Sequence, residues 1–252
     1  MTLRLHRRAS EATLALAMLT RLPVPHLRDC PQVGASAWAW PLAGAVVGGA
    51  QAVVLLAAAA ILPPAMAAGL ALAAGMLLTG ALHEDGLADL ADGLSGGRSA
   101  AQRLDIMKDS RIGSHGAAAL ITALGLRWAA LATIATWPPA AMAGALIAAQ
   151  AASRAGLGLM NLAGPQARAQ GFATAATKGL TPPRAIAALA LAAALALAAL
   201  PTGKALAMLA AVALTQLLLL RHARHRLGGM TGDVLGAAQI TAEIAALAVL
   251  VA

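Results

Sequence analysis

Long apolar runs alternate with short polar connections along most of the chain. A helix that crosses a membrane needs about 20 mainly apolar residues, and about 17 to 25 are tolerated. Runs of that length lie at residues 41–62, 65–82, 116–136, 140–160, 185–200, 205–220 and 234–252. No long linker or internal repeat interrupts the series. The pattern predicts an all-α fold, a polytopic membrane helical bundle of about seven transmembrane helices that forms one domain over residues 1–252.

The N-terminal segment follows a different pattern. Three arginines precede the short apolar stretch 12–19, and Arg21, Pro23 and Pro25 follow it. The arrangement superficially resembles a signal peptide, but no small-x-small cleavage site follows the apolar stretch. We therefore expect the segment to be retained as an amphipathic helix at the membrane interface.

The composition supports a membrane protein. Hydrophobic residues make up 60% of the chain and charged residues 11%, and the mean hydropathy is +0.76. There are 25 glycines and only 2% aromatic residues, and small residues allow membrane helices to approach one another closely. Because Cys30 is the single cysteine, an internal disulfide and a thiolate metal site are excluded.

The net charge of +8 is carried mainly by the connections between the apolar runs. Fifteen of the 18 Lys and Arg lie in segments 1–40, 83–115, 161–184 and 221–233, whereas the opposite connections contain only Lys204. Cytoplasmic loops carry the positive excess in membrane proteins. We expect a multi-pass protein of the bacterial inner membrane with segment 83–115 in the cytoplasm. Nucleic acid is not an expected partner, because these charges lack interleaved aromatic residues for base stacking.

Acidic residues concentrate in the segment 83–115. Six of the ten Asp and Glu in the chain lie between residues 84 and 109. Asp85, Asp89 and Asp92 have helical spacing and would share one face, within an arc of about 60° at about 100° per residue. The glycine-rich run at 92–97 predicts a turn. Asp105 and Asp109 repeat the spacing after this turn, so two short helices could oppose two acidic faces.

Such like charges repel one another unless a cation compensates them. Mg²⁺ is the expected cation, because it prefers carboxylate oxygens, keeps several waters and is commonly completed by substrate phosphate. The alternative is a solvated acidic loop without a metal. Basic residues among and beyond the acids suit a polyanion such as a diphosphate; they are Arg98, Arg103, Lys108, Arg111, Arg154, Arg168 and Lys178.

Two arginines lie inside predicted spans, where an ionisable residue is a functional candidate. Arg154 is near the cytoplasmic end of its span, and we expect it to reach the acidic segment. For Arg127, a functional role and an intramembrane pair with Glu243 are equally good interpretations. Asp233 adds a further carboxylate at the cytoplasmic end of the last span.

Two blocks of this sequence resemble a known family. Residues 83–93, HEDGLADLADG, and residues 106–116, IMKDSRIGSHG, are similar to the signature blocks of cobalamin synthase, the adenosylcobinamide-GDP ribazoletransferases. Shorter similarities at 22–25, 41–44 and 232–237 extend the resemblance along nearly the whole chain. It implies a Mg²⁺-dependent reaction in which adenosylcobinamide-GDP donates its cobinamide phosphate to α-ribazole, or to its 5′-phosphate, and GMP is released.

On this resemblance we expect specific roles for the charged residues. The expected metal ligands are Asp85, Asp89, Asp92 and Asp105. Asp109 is the expected base and Asp92 a further catalytic residue. The expected substrate-binding residues are Glu84, Lys108, Arg111, Arg154, Arg168 and Asp233. Membrane lipid is an expected partner, and an oligomer is possible.

Two alternatives stay open from the sequence. The spacing of Asp89, Asp92 and Gly93 with Asp105 and Asp109 also resembles the motif of CDP-alcohol phosphotransferases, although residues 94–98 depart from it. A secondary transporter would use intramembrane charge, but its acids should lie near the membrane midplane in broken helices.

Overall fold

Twelve α-helices and one 3-10 helix make up the fold in the computed structural model, which describes residues 2–27 and 30–252. The helices are α1 Thr2–Leu19, the 3-10 helix Val33–Ala39, α2 Trp40–Ala59, α3 Pro64–Thr79, α4 Leu82–Gly96, α5 Ala100–Ile106, α6 Ser114–Ile134, α7 Pro139–Ala155, α8 Leu157–Ala163, α9 Phe172–Thr177, α10 Pro182–Ala199, α11 Thr202–Leu227 and α12 Gly232–Val251. Within these residues the β contact is a single bridge between Gln166 and Met230. The predicted all-α class is confirmed.

Five helical segments are long and apolar enough to cross a membrane: Val33–Ala59, α6, α10, α11 and α12. Helices α3 and α4 together would make a sixth if they are one broken span. The structure therefore supports a bundle with five or six candidate spans, and the larger count of about seven stays a prediction.

The predicted run 65–82 divides at a sharp bend. Helix α3 ends at Thr79, and α4 leaves it at an angle of 89°. Gly80 (φ 65°) and Ala81 (φ 56°) form the bend in the left-handed region, which glycine adopts easily and alanine rarely. The bend gives α4 its own direction, so that its acidic residues are carried away from the axis of α3.

The predicted run 140–160 is an interior helix followed by a break. Helix α7 has 17 residues, and most of those in its second half are buried. It packs closely on α2, where a Cβ at Gly44 or Gly48 would lie 2.2 or 2.4 Å from backbone oxygens of α7. Because glycine and alanine remove bulk from this interface, the two helices approach in the way the composition predicts.

Helix α1 is tied to the rest of the chain by a buried acid. Glu11 accepts hydrogen bonds from the Trp38 indole at 2.8 Å and from the Arg184 guanidinium at 3.2 Å. Its other partners are Arg7 and Arg8 of the same helix. A helix at the N-terminus is confirmed, while its position at a membrane interface stays a prediction.

Candidate active site

The first half of α4 packs directly against the start of α12. A Cβ on Gly86 would lie 2.9 Å from the carbonyl oxygen of Asp233 and 3.3 Å from the Cα of Gly236. Only glycine permits this approach. As a result, Asp85 and Asp89 of α4 and Asp233 of α12 act on one another electrostatically, although about 150 residues of chain separate them.

One arginine joins this acidic group from the loop before α9. The Arg168 guanidinium donates to Asp233 Oδ2 at 3.2 Å and to the carbonyl oxygen of Leu104 at 3.0 Å. Asp233 also accepts from the Thr231 hydroxyl at 3.3 Å. Two of the six predicted substrate-binding residues, Arg168 and Asp233, therefore lie together beside the acidic face of α4.

Asp85 and Asp89 differ from the other acids of α4. In the described part of the chain neither carboxylate has a hydrogen-bond or ion-pair partner, and each acts on the other through its charge. Asp85 is exposed and Asp89 is partly buried. The described residues contain no group of three or more His, Cys, Asp or Glu arranged to hold a metal ion. Two free carboxylates are nevertheless the type of site that Mg²⁺ uses when waters and phosphate complete its shell.

Asp92 makes a different contact. Its two carboxylate oxygens accept the backbone N–H groups of Gly113 and Gly116 at 2.7 and 2.8 Å, at the start of α6. Unpaired N–H groups and the helix dipole make a helix N-terminus favourable for a carboxylate. A Cβ at either glycine would lie within 2.5 Å of the Asp92 carboxylate. Asp92 thus caps α6, and glycine is required at both positions.

Two cavities lie on either side of α4 and share Asp85, Leu82 and Met18 in their walls. The first, of about 320 Å³, is called the aromatic cavity because Trp40 and Phe172 line it; its other lining residues include His83, Arg168, Thr231 and Asp233. The second, of about 700 Å³, is called the arginine cavity because Arg21 and Arg111 line it, with Glu84, Asp89 and Ser110. Asp85 therefore faces two separate spaces.

Asp109 lies in the turn after α5 and accepts hydrogen bonds from Arg111. The Arg111 guanidinium donates to Asp109 Oδ2 at 2.6 Å and to Oδ1 at 3.0 Å, and the Arg111 backbone N–H also donates to Oδ1. These hydrogen bonds from the side chain and the backbone lower the pKa of Asp109 from 3.8 to about 2. Asp109 is consequently ionised at neutral pH, but in this arrangement it is a weak proton acceptor.

The structure does not bring Asp105 and Lys108 to the α4–α12 contact. They pair with each other at 3.5 Å on an exposed surface, and Asp105 lines a separate shallow depression. The prediction that Asp105 and Asp109 share a helical face is wrong, because α5 ends at Ile106. The prediction of a turn at 92–97 is also wrong: α4 continues to Gly96, and Gly93 serves close packing on Met107.

Glu84 is buried in an ion-pair group inside the bundle. Arg127 donates to Glu84 at 2.6 Å and to Glu243 at 2.9 Å, which confirms the predicted pairing of Arg127 with Glu243. Arg154 is 1% exposed and donates to the backbone and side-chain oxygens of Gln150. Arg154 lines neither cavity, so the structure does not place it where a substrate could reach it.

Sequence reasoning missed three residues that line the cavities. Arg21 was interpreted only as a charge that sets orientation. Trp40 and Phe172 carried no charge or motif that would distinguish them from packing residues, although Phe172 is the only Phe in the chain. Their ring centroids lie 6.2 Å apart with an interplanar angle of 34°. The rarity of aromatic residues in the chain is the sequence feature that could have identified Trp40 and Phe172 as candidates.

These features define a class: a helical membrane protein with a carboxylate and arginine site at one end of its helices. The model of the family described as cobalamin-5-phosphate synthase matches residues 11–251. A protein of Bradyrhizobium diazoefficiens is 44% identical over 244 residues, covering 95% of this chain and 92% of that protein. A protein of Azorhizobium caulinodans is 45% identical over 242 residues, covering 92% of each chain. Both are named adenosylcobinamide-GDP ribazoletransferase.

The chain belongs to the cobalamin-5-phosphate synthase family. The predicted enzyme class, a transferase of cobalamin synthesis, is confirmed. The two alternatives, a CDP-alcohol phosphotransferase and a transporter, have no support from these relatives. No solved structure matches the chain significantly.

Proposed function

We propose that this protein joins adenosylcobinamide-GDP to α-ribazole, or to α-ribazole 5′-phosphate, and releases GMP, with Mg²⁺ as the cofactor. The observation that carries the proposal is the position of Asp85, which lines both the aromatic cavity beside α12 and the arginine cavity. A transferase with two large substrates needs two spaces that meet at the reacting atoms. The relatives' names indicate which substrates these are.

Asp85 and Asp89 are the residues best suited to hold Mg²⁺, because their carboxylates have no partner in the described residues. The bound ion would neutralise charge on the diphosphate. Asp92 stays a predicted ligand and catalytic residue although α6 engages both of its oxygens.

Asp105 and Lys108 receive no role, because they pair with each other on an exposed surface, and Arg154 receives none, because it is buried against Gln150. Asp109 also lines neither cavity, but its ion-pair partner Arg111 lines the arginine cavity.

The transfer step exchanges one P–O bond for another. A hydroxyl oxygen of the ribazole attacks the phosphorus that carries cobinamide, and the bond from that phosphorus to the bridging oxygen breaks. The bridging oxygen leaves with GMP, and the hydroxyl proton passes to Asp109. Positioning and charge neutralisation supply most of the catalysis in such reactions. Arg111 and Arg168 would hold phosphate oxygens.

The test of the function uses purified protein in detergent with adenosylcobinamide-GDP, α-ribazole and Mg²⁺. We expect one GMP released for each corrinoid product formed, and no product when the metal is chelated. Release of GMP without a corrinoid product would instead indicate hydrolysis, and the proposal would be wrong.

Asp109 and Arg111 should have separable effects. A substrate phosphate that engages the Arg111 guanidinium would remove the side-chain hydrogen bonds, which lower the pKa of Asp109 the most, and would make Asp109 a stronger base. Asp109→Asn should therefore lower kcat by about 10² to 10⁴-fold with little change in affinity for adenosylcobinamide-GDP. Arg111→Ala should mainly weaken that affinity. If a higher Mg²⁺ concentration restores kcat in Asp109→Asn, Asp109 is a metal ligand and the base is another residue.

Gly86→Ala should lower kcat/KM for both substrates by up to about 10²-fold, because the new Cβ would meet the Asp233 backbone and separate α4 from α12. The matched control is Gly125→Ala in α6, where a Cβ meets nothing within 4 Å. Both variants are measured by GMP release. Wild-type kcat/KM in Gly86→Ala would show that the α4–α12 spacing does not set the site.

The proposed location is the bacterial inner membrane with the site in the cytoplasm, which rests on the distribution of Lys and Arg. A cysteine placed at Ser99, in a chain with Cys30 replaced, should resist impermeant thiol reagents in intact cells. Its labelling there would reverse the orientation.

A further inference from the structure

We propose that the aromatic cavity holds the base of the acceptor nucleoside and that the arginine cavity holds the diphosphate of the donor. This assignment rests on the proposed function and divides the two substrates between the two sides of α4. It gives Trp40 and Phe172 a role in recognising the acceptor, which the family comparison does not assign.

The walls of the two cavities favour this division. Phe172 and the buried Trp40 behind it, called the aromatic wall, line the smaller cavity with their rings in contact. The Trp40 indole N–H donates to the Ser36 hydroxyl at 3.1 Å, and its ring is almost fully buried. Phe172 is partly exposed, so Phe172 is the ring that a ligand would contact and Trp40 supports it. Aromatic faces stack on flat heterocycles with little demand for hydrogen bonds.

The larger cavity is lined by two arginines, Arg21 and Arg111, which are suited to phosphate oxygens. The smaller cavity is lined by one arginine, Arg168, which is already paired with Asp233 at 3.2 Å.

Hydrogen bonds hold the segment that carries Phe172 in place. The Thr174 hydroxyl donates to the Arg168 carbonyl oxygen at 2.8 Å, and the Asn161 amide donates to the Ala173 carbonyl oxygen at 2.9 Å. The same loop therefore positions Phe172 in the wall and Arg168 at the α4–α12 contact. Asp85 lines this cavity and also the arginine cavity, so we place the ribose of the bound acceptor beside Asp85.

The volume of the aromatic cavity supports the same assignment of the two substrates. A cavity of about 320 Å³ is at the lower end of the range for small-molecule sites, which is about 300–1,000 Å³. It can hold a heterocycle with its ribose. The cobinamide ring, with its amide side chains, is several times larger than a ribazole and must remain outside, so that only the diphosphate end of the donor approaches Asp85.

The experiment measures binding of α-ribazole to purified protein in detergent, without the donor, and then KM for each substrate. Phe172→Ala should weaken α-ribazole binding by about 5- to 150-fold, the range expected from loss of one stacking partner. KM for adenosylcobinamide-GDP should not change. Phe172→Tyr should restore α-ribazole binding, since it restores the ring. Trp128→Leu, in the exposed part of α6, is the control and should leave both values unchanged.

A free benzimidazole should compete with α-ribazole for the wild-type protein and compete poorly for Phe172→Ala. Equal α-ribazole affinity in the wild type and Phe172→Ala would overturn the assignment, and a lipid chain would then be the better occupant of an apolar cavity. A Phe172→Ala variant with a raised KM only for adenosylcobinamide-GDP would reverse the assignment, with the donor in the aromatic cavity. In either case, continued formation of corrinoid product with GMP would leave the proposed function standing.

Discussion

Asp89→Asn should abolish turnover while leaving the protein folded in the membrane. Asn keeps the shape of the side chain and removes a charge that has no hydrogen-bond or ion-pair partner in the described residues. Substitution of residues that merely support a metal ligand costs about 10- to 100-fold, so loss of a ligand itself should cost more. At limiting Mg²⁺ we expect GMP release to fall by more than about 100-fold, with partial recovery as Mg²⁺ is raised. Near-normal turnover at limiting Mg²⁺ would show that Asp89 does not bind the metal.

Asp92→Asn is the matched variant on the same helix. It replaces a carboxylate that accepts two N–H groups at the start of α6. Asn keeps one acceptor oxygen but turns an NH2 donor toward the other N–H group, so part of the cap is lost; complete loss of a cap costs about 0.5–2 kcal/mol. The thermal midpoint in detergent should therefore fall, whereas that of Asp89→Asn should not. An Asp92→Asn protein with wild-type stability and no activity would indicate that Asp92 acts chemically rather than as a cap.

The helical spacing of Asp85, Asp89 and Asp92 predicted α4 correctly, because the period of a helix is visible in the sequence. Its partners were not predictable in the same way. The contact between Gly86 and Gly236 joins segments about 150 residues apart, and a glycine in a sequence does not show whether it serves a turn or close packing. The same ambiguity produced the wrong prediction of a turn at 92–97.

The hydropathy pattern identified a membrane protein, but it did not show where a helix bends or which side chains are buried between helices. The run 65–82 contains a bend at Ala81, a residue that seldom adopts a positive φ. Arg154 lies in the last turn of α7, near the end of its helix as expected, but its side chain is buried against Gln150 and lines neither cavity. Burial of a charged side chain depends on neighbouring helices, which periodicity within one segment does not describe.

The buried ion-pair group gives the largest expected effect on folding. Arg127 is bound to Glu84 of α4 and Glu243 of α12, and all three residues are buried. Arg127→Met would leave two carboxylates buried near each other without their partner, which typically costs about 3–5 kcal/mol. We expect a severe loss of folded protein in the membrane and of the thermal midpoint in detergent. Arg221→Met, at an exposed position of α11, is the control and should change neither.

A triple variant separates this structural role from a contact with substrate. Adding Glu84→Gln and Glu243→Gln to Arg127→Met removes the unpaired charges and keeps the side-chain shapes, so folding should recover. Glu84 also lines the arginine cavity, where it was predicted to bind substrate. If that role is correct, the refolded triple variant should show a raised KM for adenosylcobinamide-GDP. A triple variant with wild-type kcat and KM would make Glu84 purely structural, whereas failure to recover folded protein would show that the charges themselves are needed to join α4, α6 and α12.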